Sequence, residues 1–258
     1  MNVKNVVKVM NFHALLRVDK ARRTAEKYMM MEQQLQSMID HITNNRNFIL
    51  DKTRLFADET KPILNIYIGS DFGFCGGFNS QSNDYLKKDQ QSQKILIGNK
   101  LRRNMSNVLL HVTREEFDED YSPIEEIINE GVRNSSYSQV NVIYNKYVNS
   151  TNIHWMSKRL FPFTFDTNKK EKYTEDFVCE TDLDDLLVKL VSAYINYELK
   201  ITVMNSFASE NVMRQNSTSE SLKKIEEREA EETRVKRKED NENQFRKIID
   251  NYSKMNLS

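Results

Sequence analysis

The sequence contains very little cysteine, because only Cys75 and Cys179 occur among its 258 residues. Neither has a second cysteine or a nearby histidine at the spacing of metal ligands, and the four histidines are scattered along the chain. The disulfide framework of a small secreted domain is therefore excluded, and no metal or other cofactor is expected on this chain. Reduced thiols fit a cytoplasmic protein.

Long hydrophobic runs and an excess of charge are also missing. No run of 18 apolar residues exists, so no membrane-spanning helix is predicted. The 38 basic and 38 acidic side chains cancel, which argues against nucleic acid or an anionic membrane as the main partner. With 38% hydrophobic and 29% charged residues, the chain is expected to be soluble and to have a modest core.

Glycine and proline are scarce and unevenly placed. The six glycines and three prolines all lie between residues 62 and 162. Both residue types interrupt helices, so their absence from residues 1–61 and 163–258 leaves two stretches that can form long continuous helices. The turns of the molecule are expected in the middle of the chain.

Both ends have the apolar spacing of an amphipathic helix. The N-terminal arm is predicted to be helical from about residue 5 to 57, and its apolar residues step by three and four: Ala14, Val18, Ala21, Ala25, Tyr28, Met31, Leu35, Met38 and Ile42. The C-terminal arm begins after Thr181 or Asp182, either of which can cap it, and repeats the pattern at Leu183, Leu187, Leu190, Tyr194, Tyr197, Ile201, Met204 and Ala208. Two such stripes bury each other, which predicts a long antiparallel coiled coil.

The central segment has the pattern of an α/β domain. Short runs rich in β-branched and aromatic residues alternate with plausible helices, and the predicted strands are Ile63–Ile68, Lys94–Ile97, Val108–Val112 and Val140–Val148. Ser122 and Glu125 have the spacing of a capping box, with Pro123 at the first helical position. The alternation predicts a mainly parallel sheet in an α/β head inserted between the two arms.

The densest glycine cluster, residues 70–79, directly follows the first predicted strand, where an α/β fold usually places a ligand. We call it the glycine-rich loop. It lacks the Lys-Ser/Thr of a Walker A loop and the G-x-G-x-x-G spacing, so a nucleotide site is not predicted. Cys75 lies at a strand-to-helix turn that favours a thiolate, which leaves a small Cys75-dependent α/β hydrolase as one alternative function. A non-catalytic coiled-coil scaffold is another.

The motifs and their order resemble the gamma subunit, or central shaft, of F-type rotary ATPases. The glycine-rich loop is similar to the family's Ser-Asp-Arg-Gly-Leu-Cys-Gly-Gly-x-Asn, with Phe72 and Phe74 in place of Arg and Leu. Three further motifs are colinear with the family: residues 6–14, residues 144–149 followed by Leu-Phe-Pro at 160–162, and Ala208-Ser209-Glu210 with Arg214. The loss of the family's Arg at Phe72, together with an Asn-rich composition, indicates a divergent paralogue of the mollicute type.

The resemblance implies a non-catalytic rotor. Its arms would enter a hexamer of alpha and beta subunits, where ATP and Mg are bound, and its head would meet an epsilon-like subunit and a membrane or motility rotor. The chain would then be cytoplasmic and attached to the membrane through the complex, and its load would be proton flow or a specialised motor. The implied division is residues 1–60 shaft helix, 61–165 head, 166–180 linker and 181–258 shaft helix.

Two sets of residues are expected to contact the hexamer. The resemblance carries over Met10, Glu210 and Arg214, although Glu210 and Arg214 lie four apart and could also form a local ion pair. At the end of the chain, the apolar spacing lapses over the charged residues 223–242 and resumes at Phe245, Ile248, Ile249 and Tyr252. This pattern predicts a solvated single helix whose apolar tip seats in the hexamer as a pivot.

Overall fold

Two long helices and a five-stranded sheet make up the fold. The structure is a computed structural model that describes residues 3–45, 58–163 and 182–255, with side chains as far as Ile249. The elements in chain order are α1 (Val3–Thr43), β1 (Ile63–Ile68), α2 (Ser80–Lys88), β2 (Gln93–Ile97), β3 (Val108–Val112), α3 (Arg114–Glu119), α4 (Ser122–Arg133), β4 (Gln139–Tyr147), β5 (Ile153–Phe161) and α5 (Leu183–Met255). The predicted linker at 166–180 lies outside the described residues.

The two arms pair antiparallel, as predicted. Near the start of α1, Lys4 forms an ion pair with Glu229 at 2.6 Å, whereas further along Tyr28 contacts the ring of Tyr197. Small residues of α1 are buried in the contact, which lets the two backbones approach closely: Ala14, Ala21 and Ala25. The Asp182 carboxylate accepts the Asp184 amide at 3.0 Å and caps α5, as one of the two predicted capping residues.

Two details of α1 differ from the prediction. Met31 and Met38 are half exposed, whereas the predicted Leu35 is partly buried and Ile39, which was not predicted, is fully buried. The stripe shifts because a straight helix with 3.6 residues per turn drifts from a 3.5-residue repeat. The helix also ends at Thr43, well before the predicted residue 57. Asn44 and Asn45 follow Thr43 directly, and asparagine favours a turn over a helix because its side chain competes for backbone hydrogen bonds. Residues 46–57 lie outside the described residues.

The sheet has the strand order β3-β2-β1-β4-β5. The first four strands are parallel, with Ile66 of β1 opposite Ile95 of β2 and Val142 of β4, and the predicted mainly parallel head is confirmed. The fifth strand, β5, runs antiparallel to β4 and was not predicted. Polar residues interrupt the apolar pattern by which a strand is recognised in sequence. They are tolerated because β5 is an edge strand whose outer face remains exposed.

The helix that opens at Ser122 has no capping box, contrary to the prediction. The Ser122 amide donates instead to the Asp120 carboxylate at 3.0 Å. A complete capping box does form one helix earlier, where the Thr113 side chain accepts the Glu116 amide and Glu116 accepts the Thr113 amide. Both helices are therefore held at their starts by acidic side chains of the β3–α4 region.

Helix α5 crosses one face of the sheet and is buried on nearly all sides there. Val191, Ile195 and Leu199 belong to the same core as Ile66 and Val142 of the sheet. The opposite face of the sheet packs a smaller core of Tyr67, Leu86, Leu96, Leu101 and Ile143. Because α1 covers the outer side of α5, this part of α5 is enclosed between α1 and the head. Among the described residues, no helix has the length and apolar content needed to cross a bilayer.

Candidate functional site

The glycine-rich loop is closed by its own polar side chains. Asn79, at the end of the loop, accepts the Ser70 amide at 2.9 Å and donates to the Ser70 hydroxyl at 2.7 Å. The neighbouring strand ends approach so closely that a Cβ on Gly98 would lie 2.7 Å from the backbone of Gly69. Gly98 also has a φ of +117°, a conformation that side chains rarely adopt. The loop is thus built against the carboxyl edge of the sheet.

Asp71 ties the ends of three strands together. One of its carboxylate oxygens accepts the amide of Asn99 at 2.9 Å, and the other accepts the amide of Arg114 at 2.9 Å. Asp71 follows β1, Asn99 follows β2, and Arg114 begins α3 after β3. An ionised carboxylate has two acceptor oxygens and no donor, so it matches two backbone amides well.

On the other side of the loop, Arg214 of α5 holds the loop backbone. Its guanidinium donates to the Gly73 carbonyl at 3.3 Å and to the Asn211 side chain at 2.9 Å, and it pairs with Glu210. Five residues earlier, Ser209 donates to the Asn145 carbonyl of β4 at 2.9 Å. We call these contacts between α5 and the head the head–shaft joint.

The Glu210–Arg214 pair is almost completely buried. Its two side chains are 6% and 4% exposed. Burial is the main cause that raises the pKa of Glu210 above its ordinary 4.5, and the positive charge of Arg214 acts against it. The pair is therefore neither a solvated helix-surface ion pair nor an open contact surface.

Arg114 adds a second contact between the head and α5. Its guanidinium lies over the ring of Phe207, 4.3 Å from the ring centroid, and one of its nitrogens is 3.5 Å from the Met204 sulfur. It also forms an ion pair with Asp118 at 3.0 Å. The contacts made by Asp71 and Arg114 could not be predicted from the sequence, because their partners are distant in sequence.

Met10 and Arg214, two of the residues expected to contact a hexamer, line one cleft of about 440 Å³ between α1 and the glycine-rich loop. Phe72 and Phe74 lie at its rim and are 63% and 70% exposed. The cleft is lined by Val9, Met10, His13, Arg17, Phe72, Gly73, Phe74 and Arg214. Glu210 is turned away from solvent by its pairing with Arg214. Direct contact of these residues with a hexamer stays a prediction, and the exposed Phe side chains are the part of this region that a partner can reach.

Cys75 has the surroundings of a structural thiol. It is 3% exposed, and its sulfur lies 3.5 Å from the Ser70 hydroxyl and 3.6 Å from the Phe72 carbonyl. Neither neighbour is a base that could activate a nucleophile. Within the described ranges, no three His, Cys, Asp or Glu side chains come together as a metal site.

The predicted tip residues lie on a helix segment that α1 does not cover. Side chains are exposed without interruption from Glu226 to Ile249. Phe245, Ile248 and Ile249 are 64%, 59% and 48% exposed, whereas the side chain of Tyr252 lies outside the described residues. An exposed single helix in this region was predicted, and its exposure is confirmed.

The comparison with known proteins identifies the family. Residues 1–239 match the family model described as ATP synthase. The chain belongs to the ATP synthase family. Among its curated relatives, the ATP synthase gamma chain of Fusobacterium nucleatum is 29% identical over 174 residues, which cover 62% of this chain and 61% of that protein. That of Mycoplasma mycoides is 25% identical over 229 residues, covering 83% of this chain and 80% of that protein.

Solved structures of ATP synthases share the fold. The central stalk and c-ring structure of the Tetrahymena thermophila mitochondrial enzyme contains a chain that matches with a TM-score of 0.59 and 17% identity, over 84% of this chain and 99% of that one. A Euglena gracilis structure of OSCP, F1 and c-ring matches with a TM-score of 0.51 and 14% identity, over 95% and 94%. The family's predicted arrangement of two long helices and an inserted α/β head is thereby confirmed. The similarity to gamma subunits, inferred from four motifs, is confirmed by the relatives, which include mollicutes.

Proposed function

We propose that this chain is the non-catalytic central rotor of an F-type-like ATPase. Its two arms would turn inside a hexamer of alpha and beta subunits, which bind ATP and Mg, while the head passes the rotation to a load. The observation that carries the proposal is α5, one continuous helix of 73 residues. At about 1.5 Å per residue it spans roughly 110 Å, from the head to the free tip.

The distribution of contacts along α5 supports this use. Around residues 187–214 the helix is fixed to both α1 and the head. Beyond Glu229 it extends without α1, and residues 230–255 would reach roughly 39 Å further. A rotor needs both features, because one part must be fixed to the output and another must be free to enter a bearing.

The load is proposed to be either a proton-translocating membrane rotor or a specialised machine such as a motility apparatus. Relatives from Mycoplasma mycoides and Mycoplasma mobile carry the name ATP synthase gamma chain. The exposed Phe72 at the loop tip replaces the family's Arg, which supports a head surface with altered partners. In either case the chain would be cytoplasmic and held at the membrane through the complex, and an epsilon-like subunit would bind next to the head.

Affinity purification of the tagged chain from its native cell tests the proposal and separates the two loads. We expect alpha and beta subunits in both cases, with c-type membrane subunits only if the load is proton flow. A bead on the head of the reconstituted complex should rotate when ATP is added. The isolated chain should neither bind nor hydrolyse ATP. Micromolar ATP binding by the chain alone, or purification without alpha and beta subunits, would contradict the proposal.

A further inference from the structure

In addition to the shared apolar core, the head contacts α5 through two guanidinium groups that lie at separate points along the helix. Arg114 of the head packs on Phe207, and Arg214 of α5 holds the Gly73 carbonyl. Phe207 and Arg214 are seven residues apart, about two helical turns or 10.5 Å along the axis. Two contacts at different positions along the helix add to its resistance to tilting and twisting against the sheet.

Both contacts depend on the same carboxylate. Asp71 accepts the backbone amide of Arg114, so it fixes the point from which that side chain reaches Phe207. Asp71 also lies two residues before Gly73, and its second oxygen anchors the loop to Asn99. The position of the Gly73 carbonyl under Arg214 therefore depends on where Asp71 is held.

We infer that Asp71 is a positioning residue that sets both guanidinium contacts between the head and α5 and so adds to the stiffness of the head–shaft joint. Where the inference concerns rotation, it rests on the proposed function. The geometric part concerns only this chain. If Asp71 is lost, two backbone amides lose their acceptor, and the side-chain link between the loop and α3 disappears while the backbone hydrogen bonds between the strand ends remain.

The other polar contacts between the head and α5 do not provide this link. Ser209 binds the β4 backbone, Lys158 of β5 pairs with Glu198, and the Tyr121 hydroxyl donates to Asn196. None of them connects the glycine-rich loop with α3. Among the hydrogen bonds of the described residues, Asp71 is the side chain that joins the ends of β1, β2 and β3.

The test is the width of a distance distribution in the full chain, measured by pulsed electron spin resonance. Spin labels are placed at Lys87→Cys on α2 and Lys223→Cys on α5, both on exposed positions, after Cys75 and Cys179 are changed to serine. Asp71→Ala removes the shared anchor of both guanidinium contacts, so the distance distribution should be broader than that of the chain with Asp71 intact. Asp71→Asn keeps one acceptor oxygen, so it should broaden the distribution less.

Asp84→Asn is the matched control, because Asp84 is an exposed carboxylate on the head with the same charge. A width for Asp71→Ala equal to that of Asp84→Asn, with the far-ultraviolet circular dichroism of both unchanged, overturns the inference. If Asp71→Ala does not fold, Asp71→Asn decides: a broadening beyond the control supports the inference, and no broadening overturns it.

Rotation of a bead attached at Lys87 in the reconstituted complex gives the second readout. In the Asp71→Asn complex, the angular variance of the bead during pauses should exceed that of the Asp84→Asn complex while ATP hydrolysis continues. Equal variance counts against the inference. Absence of rotation in the unmodified complex counts against the proposed function instead, and the distance measurement still decides the role of Asp71.

Discussion

Removal of Arg214 alone from the buried Glu210–Arg214 pair should be more damaging than removal of both charges. Arg214→Met leaves the Glu210 carboxylate buried without a cation and also removes the hydrogen bond to Asn211. An uncompensated buried charge typically costs about 3–5 kcal/mol, and we expect a loss of that size in the free energy of unfolding. Urea denaturation of the full chain, followed by circular dichroism, measures it.

The double variant Glu210→Gln, Arg214→Met should recover part of this loss. It buries no charge, so the desolvation penalty is removed together with the attraction. The Gly73 carbonyl lies in an exposed part of the loop and can bind water, whereas the buried Asn211 oxygen loses its donor, which costs about 1–3 kcal/mol. The double variant should therefore be more stable than Arg214→Met alone.

The matched control is the pair Glu220 and Lys224, which has the same i,i+4 spacing and lies on the same helix. Its side chains are 67% and 66% exposed, so Lys224→Met should have a much smaller effect than Arg214→Met. Equal effects at the two sites would refute the reasoning, because they would mean that Arg214 gains nothing from its burial and its contact with the loop.

The pH dependence of the free energy of unfolding provides a second test of the same buried pair. Burial already raises the pKa of Glu210 above 4.5, and loss of Arg214 removes the main opposing influence, so the pKa should rise further. A carboxyl with a raised folded-state pKa binds its proton more tightly in the folded chain. Proton binding by Glu210 therefore stabilises the folded chain below the ordinary carboxyl pKa. This stabilisation is lost as the pH rises through the folded-state pKa. The deficit of Arg214→Met should be smaller at about pH 5 than at about pH 8.

Three further outcomes are expected. Gly98→Ala should lower the free energy of unfolding by about 2–4 kcal/mol, because its φ is +117° and a Cβ would meet Gly69, whereas Gly73→Ala faces open space and should change it by less than about 0.5 kcal/mol in the same urea titration. Leu190→Ala, at a buried position, should cost about 2–5 kcal/mol, and an unchanged melting temperature would exclude Leu190 from the core. Truncation after Asn243 should leave the melting temperature unchanged but weaken binding to an alpha–beta hexamer, and normal assembly and rotation would contradict the pivot.

The strands of the head could be predicted from the sequence because local pattern and tertiary environment agree. Ile63–Ile68 and Val108–Val112 were predicted to the residue, since β-branched and aromatic runs ended at turn residues. Strand β5 could not be found in this way, because His154, Lys158 and Arg159 interrupt its apolar pattern. The presence of Lys158 in the strand is accounted for by an ion pair with Glu198 of α5 at 2.6 Å, and these two residues are 40 positions apart in sequence.

The candidate site was predictable only in part. The glycine-rich loop and the Glu210–Arg214 pair were identified from their spacing, but not the contact between them. Arg214 and Gly73 are 141 positions apart, so no local pattern relates them. Asp71 was noticed only as a member of a motif, because its role is to accept amides from two other strand ends. Side chains that bind backbone leave no complementary residue type in the sequence.

The composition of α5 changes along its length, and each change corresponds to a different neighbour. Residues 187–214 are mostly buried because α1 covers one side and the sheet the other, which explains a stretch where even Ser209 and Asn211 are enclosed. Residues 226–242 are exposed and charged, as expected for a helix without neighbours. The exposed apolar residues after them do not follow from either environment. Among the described residues, Phe245, Ile248 and Ile249 belong to neither apolar core. Exposed apolar side chains grouped in this way are typical of a contact surface, and the rotor proposal supplies a partner that would cover them.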